Sequence, residues 1–228
     1  MDAVHTLLTP YRALLHEVDD WFQRCCLAVG EQIACHRGCS DCCRGLFDIT
    51  LLDAYLVHDG FERLPASVRK RVGQVAHRRV EAIQQTWPVF VQPYLLNRYP
   101  EEVWDEIMPD DDETPCPLLG DDGLCMIYDS RPMTCRLHGI PMVDVSGEIL
   151  FDEWCTHNFL SSDPLGMPAL RAPFNDIFTQ EQLLFREFTR RLTGQPYNEL
   201  DTLIPAAILL DFDHLVLPEL SCDDGMRS

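Results

Sequence analysis

Residues 35–43 read Cys-His-Arg-Gly-Cys-Ser-Asp-Cys-Cys, so four cysteines stand within nine positions. The stretch has neither the 3.6-residue period of an amphipathic helix nor the alternation of a strand, so buried hydrophobic thiols do not account for it. Spacings of two or three residues let a loop turn back so that successive thiolates face one metal ion. We therefore predict that residues 34–47 form an irregular, metal-binding segment.

A second group of cysteines begins more than seventy residues later in the chain. It holds Cys116, Cys125 and Cys135, and Cys155 follows after a β-prone stretch. A neighbouring cation stabilises a thiolate, and the arginines that flank cysteines are Arg37, Arg44, Arg131 and Arg136. We predict that the two groups meet in space. The candidate metal ligands are Cys35, Cys39, Cys42, Cys43, Cys116, Cys125, Cys135 and Cys155.

The adjacent pair Cys42 and Cys43 bears on the number of metal atoms. Adjacent side chains diverge, so the two thiolates suit different metals of one polynuclear cluster, or two separate sites. Seven or eight ligands also exceed the four that one zinc ion takes. An iron–sulfur cluster or iron is therefore the first cofactor predicted, and zinc is the alternative, because thiolates suit both metals.

An apolar stripe that starts at Tyr11 and recurs every three or four residues predicts the first helix. Thr9 is its expected N-cap, with a proline at the next position. Cys25 and Cys26 extend the apolar stripe, so we expect them to be buried as small hydrophobic side chains rather than to bind metal.

Capping and breaking residues predict three further helices. One is expected from Thr50 to about residue 58, ended by Gly60. Another follows Pro65, and its exposed face carries several arginines. The third starts near Thr179 and ends before Gly194.

The predicted fold class is mainly α (α+β). Two β-prone runs, 140–145 and 148–151, surround a glycine turn and predict one small hairpin. Residues 203–217 are apolar apart from a few polar positions and are expected to form a core-packing helix. The expected architecture is a helical domain with this hairpin and an irregular cysteine-rich metal-binding layer.

We expect residues 1–228 to form one cysteine-cluster domain. Its metal-binding core would span residues 35–155, with a C-terminal helical extension over residues 175–220. The hydrophobic fraction of 46% suffices for a real core. The tail from Ser221 onward, including Cys222, is expected to be frayed.

Charge and hydropathy exclude several function classes. A net charge of −19 disfavours nucleic acids and anionic membranes, since both are recognised mainly through Lys and Arg. There is no apolar run of membrane-spanning length, and the N-terminus does not resemble a secretory signal. We therefore expect a cytoplasmic protein, in which clustered cysteines stay reduced and a protein redox partner is conceivable.

The cysteine motifs resemble a known family. Cys-Cys at 42–43, Cys-Pro-Leu-Leu at 116–119 and Cys-x-Ile-Tyr-x-x-Arg-Pro-x-x-Cys-Arg at 125–136 are similar to the YkgJ-type cysteine-cluster family. Its members are described as zinc- or iron-chelating proteins, and some as iron–sulfur oxidoreductases. The resemblance covers about residues 35–136. It implies as ligands Cys35, Cys39, Cys42, Cys43, Cys116, Cys125 and Cys135.

Three functions remain open from the sequence. The first is an iron–sulfur or iron protein with a redox or electron-transfer role, and the second is a zinc-chelating structural or interaction module. The third is a metalloenzyme, or a helper of a modifying enzyme, since a related cluster occurs in a flagellin lysine methylase. A radical S-adenosylmethionine enzyme also uses C-x3-C-x2-C, but Asp41 replaces its usual aromatic residue and no repeated β/α pattern follows.

Overall fold

The apolar stripe that starts at Tyr11 forms one long helix. The computed structural model describes residues 2–217, and in it this helix, α2, spans Leu8–Val29 after a short α1 (Asp2–His5). The predicted cap at Thr9 is wrong, because the helix begins one residue earlier. The proline that follows lies in the first turn, where its missing N–H would have no helical partner.

Two helices follow the first cysteine group. Helix α3 (Leu51–Glu62) begins as predicted, since the Thr50 hydroxyl accepts a hydrogen bond from the Asp53 amide at 3.1 Å. Helix α4 (Ala66–Thr86) follows Pro65 as predicted. The predicted stop at Gly60 is wrong, because that glycine lies inside α3.

Gly60 is instead a packing residue. A Cβ at this position would lie 2.6 Å from the Cβ of Ser130, which real Cβ atoms do not tolerate. The absence of a side chain therefore lets the 3-10 turn Tyr128–Ser130 approach α3 closely. This turn lies between Cys125 and Cys135, so the helix core touches the second cysteine group here.

Two small antiparallel sheets complete the regular structure of residues 2–217. The predicted hairpin is confirmed, with β2 (Met142–Val143) paired to β3 (Ile149–Phe151). The other sheet pairs β1 (Asp48–Thr50) with β4 (Asp201–Leu203). The sequence analysis did not predict it, because each strand has only three residues and its partner lies far along the chain.

The C-terminal helices differ from the predictions in their bounds. Helix α7 (Phe174–Thr193) starts before the predicted cap at Thr179, whose hydroxyl donates instead to the Asn175 carbonyl at 2.7 Å. The predicted stop is confirmed, since Gly194 adopts a left-handed conformation with φ of 83°.

The single helix predicted over residues 203–217 is wrong. Only α8 (Ile204–Leu209) is helical there, and the chain leaves the helix at the extended residue Leu210. The polar residues that interrupt the apolar run beyond this point favour the turn that follows. Residues 218–228, with Cys222, lie outside the described part of the chain.

The fold class is mainly α with a little β, as predicted. Side chains of α2, α3, α7 and α8 supply much of a continuous hydrophobic core. Two short helices, α5 (Trp104–Ile107) and α6 (Met133–Leu137), lie in the second half of the cysteine-rich region. Across residues 2–217, no helix is both long and apolar enough to cross a bilayer.

One buried carboxylate holds α6 against the core. Asp53 is 1% exposed and accepts hydrogen bonds from the Tyr11 hydroxyl at 2.7 Å and from the Met133 amide at 3.1 Å. Burial raises its pKa to about 6. Because the first turn of a helix has unpaired amides, this side chain acts as a long-range cap for the helix that carries Cys135.

Candidate metal centre

The two cysteine groups meet in space, as predicted. The amide of Cys116 donates to the carbonyl of Cys43 at 2.9 Å, and the amide of Gly45 donates to the carbonyl of Thr114 at 2.9 Å. These backbone bonds join segments about seventy residues apart. The loop that carries the first four cysteines is therefore fixed at one end against the second group.

The second group forms its own hairpin-like loop. The Met126 amide donates to the Leu118 carbonyl at 2.9 Å, and the Gly120 amide donates to the Leu124 carbonyl at 2.8 Å. This pairing brings Cys116 back toward Cys125. Helix α6 then supplies Cys135 to the same neighbourhood.

Electrostatics show that these three thiols are neighbours. Burial raises the pKa of Cys135 well above its ordinary value, and the charges of Cys116 and Cys125 raise it further. Burial likewise raises the pKa of Cys116 to about 11, with a further contribution from Cys125. We call Cys116, Cys125 and Cys135 the inner thiol group.

A second neighbourhood contains Cys35 and Cys155, which we call the outer thiol pair. A Cβ on Gly139 would lie 3.1 Å from the Cys35 sulfur and 3.8 Å from the Cys155 Cβ, so both pack on this glycine. Burial raises the pKa of Cys35 to about 11, and the charges of Cys155, Cys39 and Cys42 contribute to the rise.

The first of the two adjacent cysteines is coupled electrostatically to both neighbourhoods. A hydrogen bond between the side chains of Cys42 and Cys43 raises the pKa of Cys42. The charge of Cys42 also acts on both Cys35 and Cys135. Within residues 2–217, no three Cys, His, Asp or Glu side chains are placed closely enough to hold a metal ion as the structure stands.

Two of the four predicted arginines act on the thiols. Arg131 lowers the pKa values of Cys42, Cys125 and Cys135, and Arg136 lowers that of Cys125. The guanidinium of Arg131 is stacked over a tyrosine ring at 3.8 Å. Its buried Nε has no hydrogen-bond acceptor among the described residues.

The other two arginines have different partners. The Arg44 Nε lies 3.7 Å from a carboxylate oxygen of Glu113. Arg37 lies over the ring of Tyr128, with its guanidinium carbon 5.2 Å from the ring centre. For these two positions, the prediction that the arginine stabilises a thiolate has no support in the described contacts.

The donor set fits a thiophilic metal. The ten cysteines of residues 2–217 are all free, so none is consumed in a disulfide. Soft thiolates favour zinc and iron–sulfur clusters, whereas magnesium and calcium take oxygen ligands. The raised thiol pKa values indicate protonated sulfurs without metal, and a bound cation would displace those protons.

A comparison with known families agrees with this chemistry. A family model named CxxCxxCC, described as a "putative zinc- or iron-chelating domain", matches residues 34–156, which is more than half of the chain. The chain belongs to the CxxCxxCC family. No curated protein and no solved structure matches it. Metal chelation is therefore its class of function, and the resemblance found in the sequence is confirmed.

The CxxCxxCC segment contains all eight candidate cysteines and excludes the other two described ones. Cys25 is fully buried in the core, as predicted, and burial raises its pKa to about 12. Cys26 is half-buried beside it. Neither side chain is needed to account for the metal centre.

Two polar contacts at this centre of the CxxCxxCC protein were not predicted. The His157 Nε2 lies 3.0 Å from a carboxylate oxygen of Asp41, and this exposed pair joins the segment after Cys155 to the first cysteine loop. Asn158 is buried and contacts Cys35. Sequence spacing gave no signal for either contact, because the partners come from segments more than one hundred residues apart.

Proposed function

We propose that this protein holds an iron–sulfur cluster or iron through its eight clustered cysteines and serves a redox or electron-transfer role. The observation that carries the proposal is the gathering of the thiols into an inner group and an outer pair, with the charge of Cys42 acting on both and Cys43 hydrogen-bonded to Cys42. The proposed ligands are Cys35, Cys39, Cys42, Cys43, Cys116, Cys125, Cys135 and Cys155.

The number of thiols favours more than one metal atom. Four ligands complete a single tetrahedral zinc site, whereas the centre offers twice that number. The two neighbouring thiols of Cys42 and Cys43 can serve different metal atoms of a polynuclear centre. Ligation would draw each sulfur to about 2.3 Å from its metal, so the thiols must close together as the metal binds.

A cationic side chain at the inner thiol group supports a redox role. An iron–sulfur cluster supplies a one-electron couple, and hydrogen bonds to its sulfurs and nearby charge set its potential. The free Nε–H of Arg131, beside Cys125 and Cys135, is suited to donate to such a sulfur. We expect the protein to act as one cytoplasmic domain with a protein redox partner and without nucleic acid.

A zinc-chelating structural module is the second candidate, and a specific observation favours it. The first cysteine loop and the segment around Cys116 are joined by few regular hydrogen bonds. A redox-inert metal would cross-link these irregular segments and contribute folding free energy directly. Removal of the metal would lower the stability of the protein in the same way whether the thiolates bind iron or zinc.

Metal and acid-labile sulfide analysis of anaerobically purified protein separates the two candidates. Iron with sulfide and a broad visible absorption supports the cluster, whereas stoichiometric zinc in a colourless protein supports the structural module. The variants Cys39→Ser and Cys125→Ser should each lower the bound metal and the melting temperature. Cys26→Ser is the matched control and should leave the metal content unchanged. Wild-type metal content in both ligand variants would refute a shared centre.

A further inference from the structure

One buried amide contacts the outer thiol pair from outside the family segment. Asn158 lies two residues beyond the matched range, and its side chain is 1% exposed. Its Oδ1 accepts a hydrogen bond from the Ala34 amide at 2.8 Å. Its Nδ2 donates to the Gly139 carbonyl at 2.6 Å and to the Cys35 sulfur at 3.3 Å. A single side chain therefore ties three separate segments together.

The backbone of the same residue bonds to the main chain of the second cysteine. The Asn158 amide donates to the Cys155 carbonyl at 2.8 Å. Residue 139 must be glycine for this packing. Its φ of 108° disfavours any side chain, and an added Cβ would lie too close to the Cys35 sulfur. Cys35 and Cys155 are thus held at fixed positions relative to one buried amide group.

The donor direction suits a thiolate. The Cys35 thiol can itself donate toward the Asn158 Oδ1, at 3.8 Å. When a metal ion displaces the thiol proton to solvent, that weak bond is lost and the Nδ2–H remains as donor. Hydrogen bonds to a charged acceptor are stronger than those to a neutral one, so the contact gains strength when Cys35 becomes a ligand.

We propose that Asn158 is a positioning residue of the metal centre, which orients Cys35 and Cys155 and donates an N–H···S hydrogen bond to the Cys35 thiolate. This inference rests on the proposed function, because it assigns Cys35 as a ligand. Partners that hydrogen-bond a ligand fix its orientation and tune the metal, and their loss commonly lowers metal affinity about 10- to 100-fold.

The test uses cobalt as a spectroscopic probe in the full chain. Asn158→Asp keeps the Oδ1 acceptor for Ala34 but replaces the N–H donor with a carboxylate. The matched control is Asn97→Asp, because Asn97 also donates to a neighbour (Asp201 Oδ2, 3.1 Å) and accepts a backbone N–H (Asp201, 2.6 Å). Anaerobic titration with Co²⁺ reports affinity, and the sulfur-to-cobalt charge-transfer band reports the electronic state of the thiolates.

The inference predicts about 10- to 100-fold weaker Co²⁺ binding and a shifted charge-transfer band in Asn158→Asp, with wild-type behaviour in Asn97→Asp. Equal affinity and an unshifted band in Asn158→Asp would overturn the inference and leave the proposed function standing. A wild-type protein that binds neither Co²⁺ nor its native metal would overturn both.

If the Asn158→Asp variant does not fold, a second measurement on the wild-type protein tests the same hydrogen bond. Wild-type protein labelled with ¹⁵N and loaded with ¹¹³Cd should show a through-bond coupling between the Asn158 side-chain amide and the metal, carried by the N–H···S bond. Detection of this coupling supports the assignment. Its absence from a fully cadmium-loaded sample overturns the hydrogen bond and the positioning role with it.

Discussion

Replacement of Gly60 by alanine tests how tightly the helix core touches the second cysteine group. A Cβ at residue 60 would meet the Ser130 Cβ at 2.6 Å, its Oγ at 2.8 Å and the Ile127 Cβ at 3.3 Å. Ordinary carbon contacts are about 3.5–4.0 Å, so the turn must retreat by roughly 1 Å. Ser130 also accepts hydrogen bonds from Arg12 at 3.3 Å, which this movement would weaken.

The magnitude follows from two opposing effects. Alanine gains about 1 kcal/mol over glycine in a helix interior, and overpacking costs about 1–3 kcal/mol or more where a backbone must shift. Gly73 is the matched control, because a Cβ there meets nothing within 4 Å. We expect Gly73→Ala to stabilise by about 1 kcal/mol and Gly60→Ala to destabilise by about 1–2 kcal/mol.

The assay is urea denaturation of both variants under reducing conditions, followed by tryptophan fluorescence. The double variant Gly60→Ala/Ser130→Gly provides the decisive comparison, since removal of the Ser130 Cβ relieves the clash and should recover most of the lost stability. If both single alanine variants are stabilised equally, the turn gives way without cost, and our account of the close contact is wrong.

Three further predictions follow from the described contacts. Burial raises the pKa of Glu181 to about 8, so the folded state favours its protonated form, and the wild type should lose stability relative to Glu181→Gln as the pH rises from about 5 to 8. Allowing for solvent screening, the unfolding free energy of the wild type should fall by about 2 kcal/mol relative to that of Glu181→Gln over this pH range. Urea midpoints of both proteins at the two pH values measure this difference. Asp53→Ala leaves the Met133 amide without its acceptor and the Tyr11 hydroxyl with only its 3.3 Å bond to Glu181, and should cost about 2–3 kcal/mol. An unchanged urea midpoint would argue against the long-range cap. Removal of the native metal by a chelator should lower the melting temperature and expose Cys39, on the first cysteine loop, to alkylation, and an unchanged alkylation rate would argue against ligation of that thiol.

Local signals in the sequence predicted the elements that depend on nearby residues. The Thr50 cap, the helix after Pro65, the hairpin at residues 142–151 and the helix stop at Gly194 each rest on contacts within a few positions. The meeting of the two cysteine groups was also predicted, because ligands scattered along a chain must converge to share a metal.

The errors arose where tertiary contacts decide the structure. Gly60 has the residue type of a helix stop, but its role is the close approach of Ser130 from the other side of the molecule. The strand pair at residues 48–50 and 201–203 is too short to carry a periodic signal. Asn158 resembles an ordinary loop residue in the sequence, and only its three spatial partners mark it as part of the centre.

The two thiol neighbourhoods are held by the fold to different degrees, which bears on how the centre assembles. Cys135 lies on a helix that Asp53 caps from the core, and its neighbour Arg136, which is 5% exposed, forms an ion pair with Asp19 of α2. The loop that carries Cys39 is held instead by Asn158 near its start, by the exposed His157–Asp41 pair, and by backbone bonds at its end. Because Cys135 is fixed from the helix core in this way, we expect the inner thiol group of the proposed centre to offer the first sulfurs to an incoming ion. We expect the first cysteine loop to supply its sulfurs afterwards, so that part of the cost of ordering this loop falls on metal binding rather than on folding of the core.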